Sequence, residues 1–346
     1  MNLDFSNITI DHLVTHWVGN KSKDEKIKLS DIETDIKDDT LDLVTRYFFS
    51  AFNFDEHYEF WHPVELQMNE VHQVAQEIFA SKKQFVEQSK SIANLLYQYS
   101  NHPKIKGGEL NVAFFSNLIA GEKKVQAIGI YKSETQLPFL KMQSTKGQYS
   151  IKHETGYEVD GIDKACLIID NGNTSYNILL ADKHSRKEEA QYWKDEFLQV
   201  KPMSDSYHFT NNILSVAKNF ITEELTKYEV SRTDQIDYLN RSVEYFKDND
   251  SFNIGNFQEQ VFNDAEIIEK FQQFGSSFTA MNNLEIAETF DISAQAVRKQ
   301  QRIFKSVLKL DKNFHVYIHG NTDLIEKGFD ESKGKHYYKI YFENEQ

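Results

Sequence analysis

Cysteine is almost absent from this chain. Cys166 stands alone among 346 residues, so neither a disulfide framework nor a cysteine zinc site can be built, and a reducing setting is expected. Only four prolines occur, and no low-complexity linker or internal repeat separates the parts, which argues for directly packed regions. No apolar run approaches the roughly 18 residues of a membrane span. The amino end, "MNLDFSNITIDHL", has no basic start and its apolar run is broken at Asp4 and Asp11, so a secretion signal is not expected. Enzyme signatures are also missing: the sequence holds no P-loop, GxGxxG, GxSxG or HExxH pattern. The expectation is therefore a non-enzymatic protein without a bound metal or cofactor.

Acidic residues, by contrast, are in excess. The formal net charge is -14, which opposes any sequence-blind attraction to phosphate backbones or membrane surfaces. A nucleic-acid role must then rest on local patches. Residues 1 to 99 carry 17 acids against 9 bases. Residues 100 to 152 reverse this, with Lys104, Lys106, Lys123, Lys124, Lys132, Lys141, Lys146 and Lys152 against Glu109, Glu122 and Glu134. A second basic run holds Arg298, Lys299, Arg302, Lys305, Lys309 and Lys312 against Asp311. Each run reads either as a dock for an anion or as a solvated face.

Periodicity divides the chain into three regions. In residues 1–102 a leading strand, "ITIDHLVTHWV", alternates with Ile8, Ile10, His12, Val14, His16 and Val18 on one face. Helices follow, at "TLDLVTRYFFSAF", "MNEVHQVAQEIFA" and "QFVEQSKSIANLLYQYS", the last stopped by Pro103. Residues 103–185 switch to period two, in six short runs from "ELNVAFF" to "SYNILLA" joined by "AGEKK", "TKGQ" and "NGN", which predicts an antiparallel meander of about six strands. Residues 186–346 return to helices, among them "RKEEAQYWKDEFLQV" and "AQAVRKQQRIFKSVL", and close in a smaller mixed part with terminal strands. The fold class is α+β, a central antiparallel sheet flanked by helical regions. Trp193 and Phe197, on one helical stripe with Ala190, read as core.

At "SNHPKIKGGEL" two lysines and a glycine pair lie between helix and strand. Gly107 and Gly108 can serve a sharp reversal by adopting positive φ, or bare their amides to a phosphate with Lys104 and Lys106 supplying the charge. The stretch "SNHPKIKGGELNVAFF", followed by "AIGIYKSE", "FLK", "DKACLII" and "EAQYWKDEFL", resembles the bacterial nucleoid-associated protein family of the NdpA and YejK type. "IDHLVTHWVGN", "YFFSAF" and "NEVHQVAQEIF" extend the likeness to about residues 8 to 200. The resemblance implies a cytoplasmic protein found with the nucleoid that binds double-stranded DNA, without a recorded reaction. It assigns no residue a role.

On that footing the candidate DNA-contacting residues are Lys104, Lys106, Gly107, Gly108 and Lys132, with Lys132 equally suited to pairing with Glu134. The second basic run adds Arg298, Lys299, Arg302 and Lys305. Residues 284–304 lie over a helix-turn-helix, with Ile286, Ala287 and Phe290 packing the first helix, Ser293 capping the second and Arg298, Lys299, Gln300 and Arg302 reading the groove, or over a short strand leading into a helix. His12, His16, His57, His62 and His72 lack partners at metal-ligand spacing and read as satisfied or exposed side chains. Glu109 and Glu134 beside Lys132 do not amount to a nuclease centre. The expected partner is double-stranded DNA held without sequence reading, together with other nucleoid proteins and no membrane; a homo-oligomer is compatible with this. The rival is an acidic protein-interaction module that reaches the nucleoid through a protein partner.

Overall fold

The structure is a computed structural model that describes residues 3–172, 175–183, 192–228, 230–301, 304, 307–318 and 324–344. Arg302 and Lys305, Ala190 and the start of the helix expected at Arg186 lie outside the described residues. The chain forms two compact units, Met1–Met203 and Ser204–Gln346. The regions separated in the sequence at 102/103 thus fall in one unit, because the leading strand pairs with the first strand after the break and helices from before it cover the same sheet.

In the first unit the strands are β1 (Leu3–Asp4), β2 (Thr9–Val18), β3 (Tyr58–Phe60), β4 (Gly108–Ala120), β5 (Lys123–Ser133), β6 (Leu137–Thr145), β7 (Gln148–Gly156), β8 (Lys164–Asp170), β9 (Tyr176–Asp182) and β10 (Val200–Pro202). Eight of them form one antiparallel sheet in the order β1-β4-β5-β8-β9-β3-β10, with β2 also on β4. The six runs read as a meander are all strands, but β5 pairs directly with β8, and β6 with β7 stands apart as a two-stranded ribbon. The cause is composition. Strands β5 and β8 are apolar on both faces, Ile128, Ile130, Cys166 and Ile168 on one and Ala127, Tyr131, Leu167 and Ile169 on the other, whereas β6 and β7 mix lysine, glutamine and serine into their runs and are exposed along most of their length.

Alternation along the central strands feeds two cores. Leu110, Val112, Phe114, Ile128, Ile130, Cys166 and Ile168 point to one face, covered by α2 (Glu70–Ala80), α3 (Phe85–Tyr99) and the wide helical turn Tyr192–Leu198. Ala113, Phe115, Tyr131, Leu167 and Ile169 point to the other, against Phe48 and Phe49 of α1 (Leu41–Phe49). Trp193 and Phe197 are buried in the first core. Strand β2 departs from the single-face alternation. A bulge between Ile10 and His12 shifts its register on β4, so Ile8, Ile10 and Leu13 join the second core while Val14 and Val18 join the first. Asn69 caps α2, its Oδ1 accepting from the His72 amide at 2.9 Å, and its Nδ2 donates to the carbonyls of Trp61, Leu198 and Gln199 at 2.9 to 3.1 Å.

The second unit contains α4 (Ser206–Asn219), α5 (Arg232–Asp248), β11 (Ser251–Asn253), α6 (Ile254–Val261), α7 (Ala265–Asn282), β12 (Thr289–Asp291) and α8 (Ala294–Gln301), followed by β13 (Val307–Leu310), β14 (Phe314–Tyr317), β15 (Ile325–Asp330) and β16 (Lys335–Ile340). Its core is aromatic: Phe220, Phe246, Phe252, Phe257, Phe262 and Phe271 are all buried together, most of them in edge or tilted ring pairs. Residues 307–308, expected to continue the last helix, belong instead to β13, which pairs with β14.

Candidate nucleic-acid interface

The turn that carries Lys104 and Lys106 follows the end of α3. Pro103 and the preceding His102 stop the helix, the Ser100 amide donates to Tyr97, and the Ile105 amide closes back on His102 at 3.0 Å. Ile105 is buried, while Lys104 and Lys106 are exposed on either side of it. The Lys106 ammonium donates to Thr135 Oγ1 at 3.2 Å.

Neither glycine serves through positive φ. The described glycines in that region are Gly121, Gly147, Gly172 and Gly334. Gly107 and Gly108 are required by close approach. A Cβ at Gly108 would lie 2.0 Å from the Ser133 carbonyl oxygen, and one at Gly107 would lie 2.6 Å from a Glu25 carboxylate oxygen and 3.2 Å from the Trp17 ring. An anion nest needs backbone that alternates between right- and left-handed conformations, which this pair does not adopt, and Gly108 opens β4 opposite Val18. The nest reading is corrected accordingly: Gly107 and Gly108 pack the turn against β2 and β5.

Lys132 lies in the interior at 0% exposure, and its reading as a surface contact is corrected in favour of pairing with Glu134. On β5 it occupies the same face as Ile128 and Ile130. Its ammonium meets Glu134 Oε1 at 2.9 Å, donates to the Lys106 carbonyl at 2.7 Å and lies 3.3 Å from the Tyr192 hydroxyl. Burial pushes the Lys132 pKa down, and the Glu134 carboxylate opposes that. Directly across from it, Lys164 of β8 holds both carboxylate oxygens of Asp182 at 2.9 Å. Asp163 accepts from the Glu134 and Thr135 amides at 2.6 and 3.0 Å. Tyr192 donates to Glu134 at 3.1 Å, and burial holds its hydroxyl pKa high. Lys132 therefore does not touch a ligand. It ties the backbone of the lysine-bearing turn to the sheet.

Sequence reasoning missed Lys164, Asp163, Asp182 and Tyr192. The available signal was register: a lysine at the apolar-face position of two adjacent strands is anomalous unless carboxylates follow it. Glu109, the other acid weighed for a nuclease, accepts from Tyr157, and burial raises its pKa. His12 meets Glu33 at 2.9 Å, and His16 is buried between Ser30 and Ser89. Among the described residues no group of three or more histidine, cysteine and acidic side chains is placed to share a metal ion. Burial pushes the Cys166 thiol pKa up.

The other lysines of residues 100 to 152 do not gather at this turn. Strand β4 has 13 residues, which puts Lys123 and Lys124, just after its far end, about 40 Å away. Lys141, Lys146 and Lys152 belong to the β6–β7 ribbon, where Lys141 pairs with Glu154 at 3.3 Å.

In the second unit, Arg298 and Lys299 are exposed on α8. The Lys299 ammonium donates to the Tyr207 hydroxyl at 3.2 Å, and Gln300 donates to Asn211 at 2.9 Å. The helix-turn-helix overlay is corrected. Residues 284–287 are not helical, and Thr289–Asp291 pairs antiparallel with β11. Phe290 stacks on Phe252 at 4.7 Å, a contact that a helix at this position would break. The strand-then-helix alternative is the one observed. Ser293 accepts from the Ala296 amide at 3.4 Å and starts α8 as a cap.

A family model described as "Nucleoid-associated protein YejK" matches residues 14–333. The match runs well past the residues 8 to 200 that carry the likeness in the sequence. No curated protein matches the chain. No described helix is long and apolar enough to cross a membrane.

Proposed function

Because the chain belongs to the nucleoid-associated protein YejK family, we propose that it associates with the chromosome in the cytoplasm by touching double-stranded DNA directly, without catalysis. The contact is electrostatic. Lys104 and Lys106 form one site, and Arg298 and Lys299 of α8 form a second on the other unit; Arg302 and Lys305 extend the second basic run in the sequence. The observation that supports this reading is the exposed lysine turn whose backbone is anchored from within by Lys132. Contacts of this kind displace counterions and position the duplex without reading bases.

The net charge of -14 favours a second reading, an acidic protein module that meets the nucleoid through a basic protein partner. Fluorescence anisotropy with a labelled duplex at low and at physiological salt separates the two. Binding that weakens steeply with salt supports direct contact. A folded protein that ignores duplex at low salt leaves the protein-partner reading.

A further inference from the structure

The second unit holds a cavity of about 380 Å³ between α4, α6, α7 and the segment that follows α7. Ile213 and Val216 of α4, Ile254 of α6, Phe271 of α7, and Leu284 with Ile286 make its lining mainly apolar. Among the described residues none that lines it is charged. The last two are held in place by the backbone around them: the Leu284 amide donates to the Thr279 carbonyl at 3.0 Å, and Asn212 Nδ2 donates to the Glu285 carbonyl at 2.8 Å. Size, apolar lining and a few polar groups are the marks of a small-molecule site.

Gly275 faces the same cavity from within α7. Glycine weakens a helix interior, and packing does not require it here. A Cβ would meet, among the described residues, only Val216 Cγ1 at 3.7 Å, an ordinary contact. What a longer side chain would take is the space of the cavity itself.

Hydrogen bonding in the cavity comes down to two side-chain amides. The hydroxyls of Ser276 and Thr279 already donate to the main-chain carbonyls of Gln272 and Gly275, at 3.0 and 2.8 Å. Gln258, 6% exposed, accepts from Gln272 Nε2 at 3.0 Å. Among the described residues nothing answers the amide nitrogen of Gln258 or the side-chain oxygen of Gln272. Turning both amides over exchanges their roles and still leaves one donor and one acceptor. A buried amide group without a partner is costly, so the pair is set for a ligand that supplies both.

We propose that this cavity binds a neutral, largely apolar ring compound that presents an N–H beside a C=O, as a lactam does, with the rings against Ile213, Val216 and Phe271 and the amide edge on Gln258 and Gln272. A cavity of about 150 Å³ holds benzene, so this one takes a body of about two or three rings. A charged ligand would be desolvated without a counter-charge. A peptide segment fits less well, because a trans peptide group points its N–H and C=O in opposite directions.

Saturation-transfer difference NMR on the full chain with 2-quinolinone, a two-ring lactam, tests the proposal; N-methyl-2-quinolinone is the matched probe that keeps the rings and loses the donor. The lactam should bind with a Kd below about 1 mM, the scale of a well-fitted molecule of this size, and the N-methyl probe at least about 5-fold more weakly. Gln258→Leu should bind the two probes alike. Gly275→Leu, which adds a better helix former to α7 and fills the cavity, should bind neither while keeping the far-UV circular dichroism of the parent. A lactam that does not bind the parent, that binds no better than its N-methyl derivative, or that binds Gly275→Leu as it binds the parent would overturn the proposal. So would a Gln258→Leu variant that still discriminates between the probes, a readout that stands whether or not Gly275→Leu folds.

Discussion

Lys132 and Lys164 stand directly opposite one another on β5 and β8, and both ammonium groups lie over the single ring of Tyr192, at 5.5 and 5.2 Å from its centroid. Two like charges in a closed interior are tolerable only because Glu134 and Asp182 answer them one for one. Lys132→Met should therefore leave the Glu134 carboxylate largely buried without its partner ammonium, though still accepting from Tyr192. The expected loss is about 3 to 5 kcal/mol in urea unfolding. Adding Glu134→Gln should restore most of it, and a double variant as unstable as the single one would refute the pairing account.

The role of Gly108 can be separated from ordinary glycine flexibility. Gly108→Ala forces a methyl into the Ser133 carbonyl, whereas Gly121→Ala meets nothing within 4 Å and only strains a residue at φ 62. Thermal or urea unfolding should show about 1 kcal/mol lost at Gly121. At Gly108 the loss should be at least about 3 kcal/mol, the scale of a core overpacked beyond repair. Equal losses would mean that β4 and β5 can part at little cost.

His16 should make the fold acid-sensitive. The Ser30 amide donates to its Nδ1, so Nε2 carries the proton toward Ser89, and the buried ring is neutral. Burial lowers its pKa to about 4. The unfolded chain, with a histidine pKa near 6.5, then binds more protons than the folded one between those values, so stability is full above 6.5 and falls as pH drops through this window. Between pH 7.5 and 5 the loss from this one group is about 2 kcal/mol. In urea titrations at both pH values the parent should lose about 2 kcal/mol more unfolding free energy between them than His16→Gln does, and equal losses would clear His16 of the effect.

Salt dependence reports how many cations meet the duplex. If Lys104, Lys106, Arg298 and Lys299 all touch phosphate, the slope of log affinity against log salt should be about -3 to -4, and each double alanine variant should flatten it by about 2. Lys104→Ala with Lys106→Ala that leaves the slope unchanged would remove the turn from the interface. Lys123→Ala with Lys124→Ala, at the far end of β4, serves as the control that should not change it.

Much of the fold was legible because the apolar periods are strong. The switch from helical spacing to alternation after Pro103, the helix of Val71, Val74, Ala75 and Ile78, and the strands around Ile128 and Ile168 all follow from local pattern. What the pattern could not carry was pairing. That β5 passes over β6 and β7 to join β8 depends on which runs are apolar on both faces, and the bulge in β2 depends on contact with β4. The helix-turn-helix overlay failed for a related reason, since Phe290 is drawn into a strand by its stack on Phe252. At the candidate site, exposure and burial of lysines look alike in sequence. Lys106 stays exposed beside Thr135, whereas Lys132 points into the core and meets Glu134, the Lys106 carbonyl and Tyr192.

The hydrogen bond from the Lys132 ammonium to the Lys106 carbonyl bears on how quickly anything could dock there. A loop held from beneath has little conformational freedom left to surrender when a ligand arrives, so its capture step needs no folding or rearrangement. Encounter would then be governed by diffusion and long-range field, and an association rate constant that falls in proportion to solvent viscosity is the kinetic mark such a rigid perch would leave.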